Sequence, residues 1–159
     1  MVRIRIVAVG KIKEKYISDA IGEYQKRLGR FCRLEIAEAG EARNLREDVP
    51  AMVERQLLEE AEGIRRRLAG GGFVIAADAG GEALDSAQFA ARLRLAMERA
   101  SGVTFVIGGS NGLHRDIKRL ADCTLSMSRM TFPHQMARLI LVEQIYRAFK
   151  IIGNESYHK

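Results

Sequence analysis

Two short runs, Phe73-Val-Ile-Ala-Ala77 and Val103-Thr-Phe-Val-Ile107, constrain this chain more than any other feature. Both are almost wholly apolar and show no alternation, the pattern of a strand buried on both faces of a parallel sheet. Each run breaks into glycine-rich sequence, Asp78-Ala-Gly80-Gly81 after the first and Gly108-Gly109-Ser110-Asn111-Gly112 after the second. Amphipathic segments lie around them. Ile17, Ile21, Tyr24 and Leu28 recur at helical spacing before Gly29. Val53, Leu57, Ala61, Ile64 and Leu68 form a second stripe, with Pro50 at its first turn and Arg65-Arg66-Arg67 where cations suit the helix dipole. Phe89, Leu93, Ala96, Met97 and Ala100 form a third, capped by Asp85 or Ser86. Arg3 to Val9 and Cys32 to Ile36 read as two further strands. Strand and helix therefore alternate, and the expected fold is α/β: a mainly parallel sheet with helices on both faces, one domain over residues 1–159.

Charge and cysteine usage narrow the setting. The chain carries a net charge of +6, which permits an anionic partner without demanding one. Without Trp and with few aromatic residues, it shows no stacking platform for single-stranded nucleic acid. No apolar run reaches a membrane span, and the first residues read as a strand, not a signal peptide, so no membrane partner is expected. Cys32 and Cys123 read as isolated small hydrophobes in a reducing compartment, and the expected location is cytoplasmic. No acidic, His or Cys cluster has metal-ligand spacing, so no metal is expected.

In a parallel sheet, ligands bind outside the carboxyl ends of the strands. Asp78, Gly108 and Ser126 should lie on that edge, Asp78 as a ligand contact or a cap. The turn after the first strand, Gly10-Lys-Ile-Lys13, lacks G-x-G-x-x-G, which counts against a Rossmann dinucleotide site. A second loop, Met127-Ser-Arg-Met-Thr-Phe132, precedes a long helix with Pro133 at its first position and His134 in its first turn. That helix is apolar around most of its circumference and belongs either to the core or, as the favoured reading, to a subunit interface. His114 is expected to be solvated.

Several motifs resemble those of the RlmH (YbeA-type) enzymes, SPOUT-class methyltransferases. They are Val7-Ala-Val-Gly-Lys11, Ile107-Gly-Gly-Ser-Asn-Gly-Leu113, Leu125-Ser-Met-Ser-Arg-Met-Thr-Phe-Pro-His134, Glu143-Gln-Ile-Tyr-Arg-Ala148 and Tyr157-His158-Lys159. The resemblance runs over the whole chain. It implies a C-terminal trefoil knot that binds S-adenosylmethionine through Ala77, Gly108 and the segment Met127, Ser128, Arg129, Met130, Thr131 and Phe132. It implies a homodimer whose partner subunit completes the RNA site. It also implies methylation of N3 of a pseudouridine, at position 1915, in the 23S ribosomal RNA of the assembled ribosome. The acceptor must lose its N3 proton, and His158 is the expected base, with Tyr157 and Arg129 orienting or stabilising the RNA base. Candidate RNA contacts are Lys11, Lys13, Lys15, Arg115, Lys118, Arg119, Arg129, Arg147 and Lys159. The competing readings are a methyltransferase for another RNA nucleotide, a non-catalytic ribosome-binding factor and a flavodoxin-like nucleotide-binding module.

Overall fold

A computed structural model describes residues 1–43, 46–68 and 70–157. Five strands, Val2–Val9 (β1), Cys32–Ala39 (β2), Phe73–Ala83 (β3), Gly102–Ile107 (β4) and Cys123–Ser126 (β5), form one sheet in the order β2-β1-β4-β3-β5. Every neighbouring pair is parallel, as the unbroken apolar runs predict. The helices are Lys15–Leu28 (α1), Pro50–Leu68 (α2), Ser86–Arg99 (α3), Arg115–Leu120 (α4) and His134–Ile152 (α5).

Alternation along the strands sends side chains to two separate cores. Ile4 and Ile6 of β1 and Val103 and Phe105 of β4 meet Ile17, Leu93, Leu141 and Ile145 from α1, α3 and α5 on one face. Val7, Val9, Ala76 and Val106 meet Ala61 and Ile64 of α2 and Ile117 of α4 on the other. Helices thus cover both faces, and all five strand ends carry their loops to one edge. The α3 cap is a reciprocal box: the Asp85 carboxylate accepts from the Gln88 N–H at 2.7 Å, and Gln88 Oε1 accepts from the Asp85 N–H at 2.9 Å.

Four expectations need correction. First, β3 does not end at Ala77. Leu125 of β5 pairs with both Ala77 and Glu82, so residues 78–81 bulge outwards and the strand then resumes. A Cβ on Gly81 would stand 2.8 Å from the Leu125 backbone, so only glycine lets the chain re-enter the sheet there.

Second, the buried side of α2 is rotated from the apolar stripe. Gln56 and Glu60 are buried, whereas Val53 and Leu57 are only half-buried, because the helix turns a polar pair towards the Gly108–Gly112 loop.

Third, α5 is chiefly a core helix. Leu141, Val142, Ile145, Tyr146, Ala148 and Phe149 are buried within the chain, between α1 and α3. Its N-terminal part is tied down by Arg138, which is fully buried. Its Nη1 donates to Glu38 Oε1 at 2.8 Å and its Nη2 to the Gly10 carbonyl at 3.0 Å.

Fourth, Pro133 is the N-cap of α5, and His134 is its first helical residue.

Candidate active site

Three loops leave the carboxyl edge side by side and enclose a cleft of about 170 Å³. Ala77, Asp78 and Ala79 come from the β3 bulge. Ile107, Gly108, Gly109 and Gly112 come from the turn after β4. Met127, Ser128, Arg129, Met130, Thr131 and Phe132 come from the segment between β5 and α5. All eight residues expected to touch the cofactor therefore line one cleft, although they come from three distant stretches of chain.

The glycine turn is tight. The Gly112 N–H donates to the Gly109 carbonyl at 3.1 Å. A Cβ built on Gly108 would fall 2.2 Å from the Gly112 carbonyl oxygen, so a side chain there would destroy the turn. The third loop is braced by its own hydroxyls. Ser126 Oγ donates to the Ser128 carbonyl at 3.2 Å, and Ser128 Oγ accepts from the Met130 N–H at 2.9 Å. Met127 packs on the core, whereas Met130 is 72% exposed, so Met130 is no preformed apolar wall.

Asp78 pairs with Lys118 of α4, with Oδ1 3.5 Å from Nζ. Sequence reasoning missed the cleft position of His134 and Ala137. A signal was present: the first turn of a helix that follows a ligand loop faces that loop. His114 corrects another expectation. It is 4% exposed, its Nδ1 accepts from the Asp116 N–H to cap α4, and its Nε2 lies 3.0 Å from Glu54 Oε1. A capping role buries the ring that a loop position would have left in water.

The expected catalytic residues are not all together. Arg129 borders the cleft and is exposed. Tyr157 does not line it; the ring packs edge-on against Tyr146 of α5, 5.0 Å between centroids, under the Arg147 guanidinium. Its hydroxyl donates to Glu143 Oε1 at 3.2 Å, and Glu143 lies about 13 Å along α5 from His134 by helical rise. Desolvation, with Tyr24 and Glu143 alongside, pushes the Tyr157 phenol up to about 12, so near neutrality it is a donor and not a base. His158 and Lys159 lie outside the described residues.

A larger cavity, about 520 Å³, lies behind Met127 between the start of α3, β5 and α5. Side chains such as Leu84, Phe89, Ile140 and Gln144 wall it, and it lacks the glycine turn. The smaller cleft is the candidate cofactor site, because it lies at the carboxyl ends of the strands, where parallel sheets bind ligands. Among the described residues, no three His, Cys, Asp or Glu side chains gather as metal ligands, and no helix is long and apolar enough to cross a membrane.

Comparison with known proteins first defines the class. A family profile described as "Predicted SPOUT methyltransferase" matches residues 2–158. Among solved structures, a probable methyltransferase from Bordetella pertussis Tohama I is similar with a TM-score of 0.61, over 93% of this chain and 95% of its own, at 14% identity. The tRNA (m1G37) methyltransferase from Aquifex aeolicus is similar with a TM-score of 0.51, over 91% of this chain and 69% of its own, at 16% identity. At such identities these two support the fold alone.

Curated relatives narrow the class. The protein named Ribosomal RNA large subunit methyltransferase H from Acetivibrio thermocellus is 46% identical over 159 residues, 99% of each chain. Its namesake from Carboxydothermus hydrogenoformans is 47% identical over 157 residues, 98% of this chain and 99% of its own. The chain belongs to the SPOUT methyltransferases, in the family of the ribosomal RNA large subunit methyltransferase H proteins.

S-adenosylmethionine is the methyl donor. The residues that line the cleft could hold it: the Gly108 turn adds no side chain to the cleft, and Met127 and Phe132 line it with apolar surface that an adenine could meet.

Proposed function

We propose that this enzyme methylates N3 of a pseudouridine in 23S ribosomal RNA on the assembled ribosome. The observation that carries the reading is the convergence of Ala77, Gly108 and Met127–Phe132 on one cleft. Support for the RNA substrate comes from relatives, matched over nearly their full length, that are named for the large ribosomal subunit.

In this reading the cleft loops hold the donor, whose sulfonium methyl is already activated for in-line transfer. What the chain supplies is position. Backbone groups of the Gly108 turn and the Met127–Phe132 segment fix the adenine edge. Arg129, exposed at the rim, neutralises the acceptor base as its N3 proton departs. His158 takes that proton. Tyr157, neutral at working pH with its hydroxyl proton donated to Glu143, helps orient the acceptor.

Tyr157 packs on α5 instead of lining its own cleft, and this supports a homodimer in which each tail serves the partner's cleft. The half-exposed Met136, Leu139 and Ile140 of α5 offer apolar surface for such an interface. The return of the chain from β5, at one sheet edge, to β1, where Arg138 holds Gly10, suits threading of the C-terminal segment into a trefoil knot. A ribosomal substrate in turn implies a cytoplasmic enzyme. A net charge of +6 is small for gripping naked RNA at physiological salt, which favours a shaped target.

The test is transfer of labelled methyl from S-adenosylmethionine to ribosomes from cells lacking this activity, with naked 23S RNA alongside. Label at one pseudouridine of the ribosome is the expected result. Label at another nucleotide would replace the substrate assignment while leaving the donor site intact.

A further inference from the structure

Beneath the glycine turn lies a buried polar chain that the transfer reaction does not use. Asn111 Nδ2, on the turn, donates to Gln56 Oε1 of α2 at 3.1 Å. Gln56 Nε2 donates to Glu60 Oε1 at 3.2 Å, one helical turn further on. The same Glu60 oxygen accepts from the Ala42 N–H at 3.2 Å, which ties in the segment after β2. Glu60 is 2% exposed, and its Oε2 has no hydrogen-bond partner among the described residues. That oxygen faces the turn directly: a Cβ on Gly109 would lie 3.5 Å from it.

We propose that Glu60 is a positioning residue for the cofactor cleft, holding the Gly108–Gly112 turn through Gln56 and Asn111. The proposal rests on the cleft being the S-adenosylmethionine site. Its physical basis is the cost of burying a carboxylate with one oxygen unpaired, which a protonated group avoids.

Burial, first, and the nearby carboxylates of Glu41 and Glu59 raise the Glu60 pKa, while the bonds from Gln56 and Ala42 oppose the rise. The charged groups of α4 are engaged elsewhere: His114 faces Glu54, and Asp116 pairs with Arg65. The turn itself contributes no ionisable group. Loss of the proton at higher pH would put a charge directly under the backbone that holds the donor.

The experiment uses the whole protein without added cofactor and follows the Gly109 and Gly112 amide resonances by NMR across a pH titration. In the wild type both amides should shift with a midpoint above 4.5, the ordinary carboxyl value, and in Glu60→Gln the shift should vanish while the fold is kept. Amides that stay flat, or titrate at the ordinary value, would overturn the proposal.

Calorimetry with S-adenosylmethionine supplies the functional arm. Glu60→Gln should bind as the wild type does, and Asn111→Ala should bind about tenfold more weakly while keeping a cooperative unfolding transition. Wild-type affinity in Asn111→Ala would also overturn it. If the wild type binds no S-adenosylmethionine, the cofactor reading fails, and the amide titration alone decides the role of Glu60.

Discussion

Gly108 shows how a single atom sets the cleft. The space its Cβ would need is taken by the Gly112 carbonyl, and backbone cannot swing aside as a side chain can. Gly108→Ala should therefore cost about 2–3 kcal/mol in urea unfolding, at the upper end for overpacking, and should abolish calorimetric S-adenosylmethionine binding. Tyr157 makes a different prediction. A phenol raised from 10.0 to about 12 holds its proton more tightly in the folded state. The stability linked to it is complete below 10.0 and is lost as pH rises through about 12. An ultraviolet titration of wild type against Tyr157→Phe should show one late-ionising tyrosine missing from the variant. A tyrosine set identical in number and midpoint would refute the docked tail.

At the scale of elements, α5 carries most of the interest, because it joins the cleft loop to the core. Arg138 anchors its N-terminal part on Gly10 and Glu38, at the end of the sheet opposite β5. Replacing a buried guanidinium by Met takes a donor from the Gly10 carbonyl and leaves Glu38 with the Ile12 N–H. Glu38 is still about one-third exposed, so the expected cost is roughly 2–3 kcal/mol, below that of a fully enclosed pair. Urea unfolding of Arg138→Met measures it, and methyl transfer should fall further than stability does, since the loop before α5 loses its fixed end. The α3 capping box is a simpler case. Asp85→Ala should lower stability by about 1 kcal/mol and leave donor binding unchanged, because the box closes a helix that does not border the cleft.

For the whole molecule, the prediction concerns assembly. Light scattering at micromolar concentration should give the mass of a dimer without RNA, and a monomeric mass would defeat the proposal that each tail serves its partner's cleft. The parallel sheet, both helix layers and the glycine turn after β4 were legible in the chain itself. Unbroken apolar runs ending in glycine have few other stable uses, and turn chemistry is local. The Met127–Phe132 loop took its meaning from family resemblance, since a Ser- and Met-rich segment has no period to read. What stayed hidden depends on contacts between distant stretches. The apolar stripe of α2 suggested Val53 and Leu57 as its inner face, but Gln56 and Glu60 are buried instead, bonded by Asn111 and Ala42 from elsewhere in the chain. His114 looked solvated until Glu54 and the start of α4 closed over it. The sequence by itself determined which segments become strands and helices and where glycine must sit, since propensity, periodicity and φ preference act within a few residues. Only the tertiary structure decided which polar groups could be buried, because a buried hydrogen bond needs a partner that sequence distance conceals.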